Sequence, residues 1–422
     1  MQEYKGNKFK IINDPVYGFI SFRQPIIFDI ISHPYFQRLR RIKQLSLTYL
    51  VYPGAIHTRF QHALGAMHLM NNALDILQKK GHTITPQETE AALIAILLHD
   101  IGHGPFSHTL EHSFVQNISH EEISLMFMQK LNEIFEGKIE MAIEIFTDKY
   151  PKKFLHQLVS SQLDMDRLDY LMRDSFFSGV SEGVVSSGRI INMLNIFQDE
   201  LVVEAKGIYS IEKFLIARRL MYWQVYLHKT VIAAEEMLMK ILLRAQQLAR
   251  KGIELFATPA LMFFLKNKID DILNLHEKES RDKFLEIFSQ LDDNDIVASI
   301  KVWTQHSDEV LAMLCKGLIN RDLLRIEIYP QSELIDLERV EKIRAAVKKK
   351  YKLSSADVSF LVFYGNIFNN AYSVSSDNIN ILTRHGKIID IAQASDVSNV
   401  TALSKTVTKS FLCFPRNLET IE

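Results

Sequence analysis

The run HDIGHGPFSH, residues 99–108, decides how the rest of the chain is read. It closes the stretch QETEAALIAILLHD (87–100), whose apolar residues recur at three- and four-residue spacing, as in an amphipathic helix. Thr85-Pro86 opens that helix with a capping residue and a proline, and Gly102, Gly104 and Pro105 stop it. His99 and Asp100 therefore stand at a helix C-terminal end. Adjacent helical residues point about 100° apart, but at a final turn both can converge on one ion beside the chain. His62 upstream and Asp166 downstream would complete the set from neighbouring helices. Two imidazoles and two carboxylates make a mixed nitrogen and oxygen shell, suited to iron, manganese, zinc or another first-row ion. An open position on such an ion acidifies water and polarises phosphoryl oxygens, which is hydrolase chemistry.

Outward from this run the period stays helical from about residue 30 to 310. Helices are expected at 58–79, 120–134, 138–147, 161–177 and, as one long element, 210–250, with a short hairpin around Gly207. After about residue 320 the pattern changes. LLRIEIY (323–329), VSFLVFYG (358–365), INILTR (379–384), IIDIAQ (388–393) and KSFLCF (409–414) read as strands around one helix, 333–350, with His385-Gly386 as a hairpin turn. The expected class is mainly α: a helical unit over 1–320 and a smaller α/β domain over 321–422.

Composition narrows the function. Lysine plus arginine number 49 and aspartate plus glutamate 50, so the formal charge is −1 and no global basic field attracts nucleic acid. The two cysteines, Cys315 and Cys413, are too few for a disulfide framework and read as small buried hydrophobes. No apolar run approaches the roughly 18 residues that cross a bilayer, and no secretory signal is visible, so a cytoplasmic protein without a membrane partner is expected. The histidines are the anomaly: nine of the 15 lie between His57 and His120. Histidine is the usual metal ligand and proton carrier near neutral pH. Crowded surface histidines are the plain alternative, and His68, His82 and His112 are read that way.

HDIGHGPFSH (99–108), HTRFQHALG (57–65) and DMDRLDYLMRD (164–174), in this order, resemble the HD-domain phosphohydrolases. With INDPVYG (12–18), FQRLRRIKQL (36–45), YPGA (52–55) and YLHK (226–229), the chain resembles more closely the sterile-alpha-motif and HD-domain deoxynucleoside triphosphate (dNTP) triphosphohydrolases and their bacterial relatives. INDP begins at residue 12, so a relative without the sterile-alpha-motif domain is expected, with an HD core over about 45–180 in a helical bundle.

The resemblance implies roles residue by residue. His62, His99, Asp100 and Asp166 match the ligands of one divalent metal (iron, manganese, zinc, nickel or magnesium), with further magnesium arriving on the triphosphate. His103 and His108 match the paired histidines beside the scissile phosphate, and His120 stands near a further catalytic histidine; His108 is then the candidate proton donor, with His120 and Glu111 as candidate relays. Arg59, Arg167, Arg218 and Lys229 match cationic positions around the triphosphate, Arg167 standing where relatives carry lysine. Gln44, Leu45, Tyr170, Asp174 and Tyr226 match sugar- and base-side positions; His57, apart from the resemblance, is read as a histidine that could orient a ligand through its other nitrogen. The residues agree in part: Asp166, Tyr170 and Asp174 recur every four residues and share one helical stripe. That stripe also fits an exposed polar face, and Arg218, Tyr222 and Tyr226 at the same spacing also fit simple packing. The implied activity is hydrolysis of a dNTP to deoxynucleoside and inorganic triphosphate. The alternatives are another HD-domain hydrolase, acting on a monophosphate, a guanosine polyphosphate or a cyclic nucleotide, or a nucleotide sensor without catalysis. The implied assembly is a homo-oligomer, a dimer or tetramer. Lys10, Asn13, Gln37 and Arg40 match an activator site, but Ser32 replaces the aspartate that would accept guanine's two N–H groups, so little response to GTP is expected.

Overall fold

The protein is described from a computed structural model over residues 10–106, 118–269, 273–274, 277–331, 333–369, 372, 378–396 and 405–418. A hairpin of β1 (Lys10–Asp14) and β2 (Gly18–Phe22) comes first, then the helices that carry most of the candidate site residues. These are α1 (Arg59–Lys79), α2 (Pro86–Leu98), α3 (His120–Ile134) and α4 (Met165–Ser178). From Ala91 to Asp100 every residue is buried, so α2 is enclosed on all sides rather than amphipathic. It packs against α1 and against the helices Glu140–Phe146 and Lys153–Val159. Its end therefore carries His99 and Asp100 into the middle of the bundle.

Capping sets the boundaries. Thr58, Thr85 and Ser119 each open a helix with reciprocal side-chain bonds to the third residue. The helix expected at 161–177 starts only at Met165, because the Asp164 carboxylate takes the backbone N–H groups of Ser161 and Arg167 at 2.8 and 2.7 Å.

Two expectations are corrected here. The single helix over 210–250 is two, α5 (Ile208–Met221) and α6 (Lys229–Arg250), joined by a wide π-turn at Tyr222–Tyr226. The Leu227 N–H reaches back five residues to the Tyr222 carbonyl at 2.7 Å, and the His228 imidazole caps α6 through Thr230 N–H. Apolar spacing runs through this break, so periodicity does not reveal it. The hairpin expected around Gly207 lies earlier, as β3 (Leu194–Phe197) and β4 (Glu200–Glu204), turning at Gln198 and Asp199, both at positive φ. Gly207 instead lies in the turn leading into α5, against Met193 and Val203.

After residue 320 the strands are β5 (Arg325–Tyr329), β6 (Phe363–Asn369), β7 (Asn380–Leu382), β8 (Ile388–Asp390) and β9 (Val407–Phe414). The expected strand at 358–365 begins later, since Ser355–Val358 is helical, and the helix expected at 333–350 is Leu337–Tyr351, capped by Asp336. Gly386 turns between β7 and β8 as expected. One sheet has the order β5-β9-β6. The other is β3-β4-β7-β8, so β7 pairs in parallel with β4, with Val203 opposite Ile381. A single cluster of buried apolar side chains runs from Ile20 to Phe414. Among the described residues, no helix is long and apolar enough to cross a membrane.

Candidate metal centre and nucleotide cleft

His62 comes from the first turns of α1, His99 from the cap of α2, Asp100 from the residue after it, and Asp166 from the first turn of α4. Their donor atoms converge. The Asp166 Oδ1 lies 3.1 Å from His62 Nε2 and 3.4 Å from His99 Nε2, and Asp100 Oδ1 lies 3.3 Å from His99 Nε2. Asp100 Oδ2 is 3.7 Å from His62 Nε2. Both imidazoles spend Nδ1 elsewhere, His62 on Asp169 Oδ2 at 2.8 Å and His99 on the Ile96 carbonyl at 2.6 Å. Those acceptors require a proton on Nδ1, which leaves each Nε2 as the face toward the cluster. Both Nε2 atoms are buried and face the Asp166 carboxylate. His62, His99 and Asp166 offer donor atoms within 4.8 Å of one another, as do Asp100, His103 and His120, and such His/Asp groups fit a first-row divalent ion.

Burial opposes charge on His62, but hydrogen bonds to Asp166 and Asp169 outweigh it and raise its pKa to about 10. Burial likewise opposes charge on Asp166, and the two histidines overcome it, holding this carboxyl well below the usual range.

Beside this cluster His103 stacks on His120, with ring centres 3.9 Å apart and planes within 18°. His103 Nε2 is 3.4 Å from Asp100 Oδ1. Burial, with Arg59 adding to it, pushes the His103 pKa down to about 3, so the ring is neutral at physiological pH. Gly102 makes this approach possible: a Cβ there would stand 2.2 Å from the His120 carbonyl and 2.3 Å from Ser124 N. Ser124 Oγ instead accepts from Gly102 N and donates to the His99 carbonyl. From below, the fully buried Arg38 donates to the carbonyls of Ile101, His103 and Leu291 and lies against the Phe288 ring. The expected His108 and Glu111 fall outside the described residues.

On the other flank Arg59 Nη1 donates to Asp100 Oδ2 at 2.5 Å, and Arg167 pairs with the capping Asp164, its Nη1 4.0 Å from Asp166 Oδ2. Arg218 is buried, its guanidinium 6.0 Å from the Tyr222 ring, whereas Lys229 is exposed at the start of α6. The expected stripe on α4 is real: Tyr170 meets the Tyr226 ring at 6.2 Å, and Tyr226 donates to Asp174 Oδ2 at 2.8 Å. The other Asp174 oxygen is 2.8 Å from His57 Nε2, and His57 stacks on Phe177. The Gln44 N–H donates to the His57 carbonyl; Gln44 and Leu45 are both half-buried.

Sequence reasoning missed Asp169, Arg173, Asp14 and Arg38. Asp166, Asp169 and Arg173 stand at i, i+3 and i+7 of the same helix, a spacing that places Asp169 beside the ligand. On the sequence alone this reads as an ordinary charged face.

Comparison with known proteins agrees with the geometry. The HD domain matches residues 59–174, a span that contains all four proposed ligands, and the HD associated region matches residues 185–278. A phosphohydrolase from Bacteroides thetaiotaomicron superposes with a TM-score of 0.91 at 52% identity, over 97% of this chain and 100% of that one. An uncharacterized protein of Bacillus subtilis is 35% identical over 77% of this chain and 73% of its own length. A deoxynucleoside triphosphate triphosphohydrolase SAMHD1 homolog from Dictyostelium discoideum is 32% identical over 56% of this chain, which spans 50% of that protein. This chain belongs to the HD-domain phosphohydrolase family.

Proposed function

We propose that the protein is a metal-dependent dNTP triphosphohydrolase, releasing deoxynucleoside and inorganic triphosphate. The observation that carries this reading is the order of groups along α4: Asp166 at the metal cluster, Arg167 beside it, Tyr170 one turn on, and Asp174 tied to Tyr226 and His57. Metal, phosphate and sugar positions follow one another along a single helix. The SAMHD1 relatives, named as dNTP triphosphohydrolases, support the same substrate class.

The chain's own residues divide the work. A triphosphate carries about four negative charges, and cations must stand where that charge accumulates. Arg59, Arg167 and Arg218 bind the phosphates, with Lys229 at the exposed rim. His62, His99, Asp100 and Asp166 would hold a divalent ion, which would supply Lewis acidity and lower the pKa of water. His103 is held neutral and positions the phosphate through a ring N–H. The proton for the departing 5′ oxygen then comes from His108, with His120 and Glu111 as relays. Tyr226, on Asp174, closes against C2′ of the sugar, where a 2′-hydroxyl would collide.

A homo-oligomer, dimer or tetramer, with little response to GTP is part of the same reading. Ser32 is exposed, Lys10 lies over the Phe28 ring, and Arg40 packs on Phe60 while donating to Gln37. Metal-loaded protein given a nucleotide panel, with phosphate, pyrophosphate and triphosphate resolved, tests the substrate. Triphosphate from dNTPs supports the reading, and orthophosphate from a monophosphate would replace it with the family's other chemistry.

A further inference from the structure

INDPVYG (12–18) has no role in the chemistry above, yet its aspartate ends on the metal centre. Asp14 Oδ1 accepts the N–H groups of Val16 and Tyr17 at 2.9 and 3.0 Å, closing the turn between β1 and β2. Its other oxygen accepts from Arg173 Nη1 at 2.7 Å. Arg173 turns its remaining fork onto Asp169, Nε to Oδ2 at 2.9 Å and Nη2 to Oδ1 at 3.0 Å. Asp169 Oδ2 then accepts from His62 Nδ1. Asp169 and Arg173 are 0% exposed and Asp14 is 4% exposed.

We infer that Asp14, Arg173 and Asp169 form a positioning relay that fixes the orientation and tautomer of His62 and so sets the affinity of the metal centre. The inference rests on the metal-centre reading of His62, not on the identity of the substrate.

The physical reason lies in the charges. A lone carboxylate at the position of Asp169 would be costly to bury, and a bidentate guanidinium offsets it. Arg173 alone would leave a donor unsatisfied, and Asp14 supplies the acceptor. The relay thus carries two negative charges and one positive, and its net negative end faces the N–H of His62. That arrangement keeps the proton on Nδ1 and the lone pair of Nε2 toward the ion, and it makes the imidazole a stronger donor. The backbone is shaped to admit the pair: a Cβ at Gly65 would lie 2.0 Å from Asp169 Oδ1 and 2.1 Å from Arg173 Nη2. The hairpin of the first described residues is thereby bonded, through three side chains, to a ligand 48 positions further along the chain (62 − 14).

The test is Mn²⁺ binding, measured from the free-ion paramagnetic resonance signal, with Asp166→Ala as the control that removes the site. Asp169→Asn should weaken Mn²⁺ binding roughly 10- to 100-fold, the usual cost of losing such a partner. Asp14→Asn is the more discriminating variant. Its amide oxygen still serves Val16 and Tyr17, so the hairpin keeps its turn, but its NH₂ group faces Arg173 donor to donor. It should weaken Mn²⁺ about 3- to 10-fold, and so should Gly65→Ala, which displaces the pair without changing a charge. If Asp169→Asn fails to fold, Asp14→Asn carries the prediction. A purely structural role would lower the melting temperature of these variants but leave Mn²⁺ affinity within twofold of wild type, and that result overturns the relay. Wrong products in the nucleotide assay would overturn the proposed substrate and leave these affinities as they are.

Discussion

The two flanks of the cleft treat their polar groups in opposite ways. On the metal flank the chain satisfies itself: Asp100 has Arg59, Asp169 has Arg173 and His62, and the Nδ1 of both ligand histidines is spent. The Nε2 atoms of His62 and His99 both face Asp166 Oδ1. On the other flank the Nε of Arg167 and the Oε1 of Gln44 are buried without a hydrogen bond. Buried unsatisfied groups are rare in folded proteins and usually have a reason. Under the proposed function, the difference teaches that the metal flank is assembled before substrate arrives, while the nucleotide flank is completed by its ligand.

The largest effect that would break this comparison is at the metal. Asp166→Ala should lose bound metal and turnover together, with kcat falling by more than about 10³-fold. Full activity with a metal-free site in elemental analysis would refute the assignment. Next is Arg38, whose three carbonyl partners hold the His103 loop. Arg38→Met leaves them buried and unmet, a loss on the order of 3 kcal/mol in urea unfolding. Arg38→Lys should not restore it, because a single ammonium cannot reach three directions as a fork does.

The third prediction concerns pH. Burial pushes the Glu235 carboxyl up to about 7 from 4.5, with Ser46 working against the shift and Glu236 adding to it. Between these values the folded chain holds a proton that the unfolded chain lacks, so stability falls as pH rises from about 4.5 to about 7 and is flat above. Glu235→Gln should shrink that fall by on the order of 1–2 kcal/mol. Identical stability profiles for the two proteins would show that the buried acid plays no part. The smallest effect sharpens the sugar side. Tyr226→Phe removes one hydrogen bond to Asp174 and should lower kcat/KM for a dNTP about fivefold, roughly 1 kcal/mol. An unchanged value would mean that this pair does not shape the site.

The convergence of His62, His99, Asp100 and Asp166 was legible because HDIGHGPFSH marks a helix end and its histidines are dense. The stripe Asp166, Tyr170, Asp174 was legible from spacing alone. Asp169 and Arg173 were not, since local spacing cannot tell a buried ion pair from a solvated one; only the packing of α1 against α4 does. Arg38 sits in RLRR and reads as surface charge until Phe288 and Leu291, some 250 residues later, close over it. Strands after residue 320 were legible from β-branched and aromatic runs, but the pairing of β7 with β4 was not, because the partner lies far away in the chain. The break at Tyr222–Tyr226 was hidden for another reason: a π-turn inserts without disturbing which residues are apolar.

Hydrolysis of a dNTP in ¹⁸O-labelled water, with both products analysed by mass spectrometry, tests the central claim most directly. Attack on the α-phosphorus with loss of the 5′ oxygen places the label in inorganic triphosphate and none in the deoxynucleoside. Label in the deoxynucleoside, or in orthophosphate or pyrophosphate released with a deoxynucleotide, would contradict it.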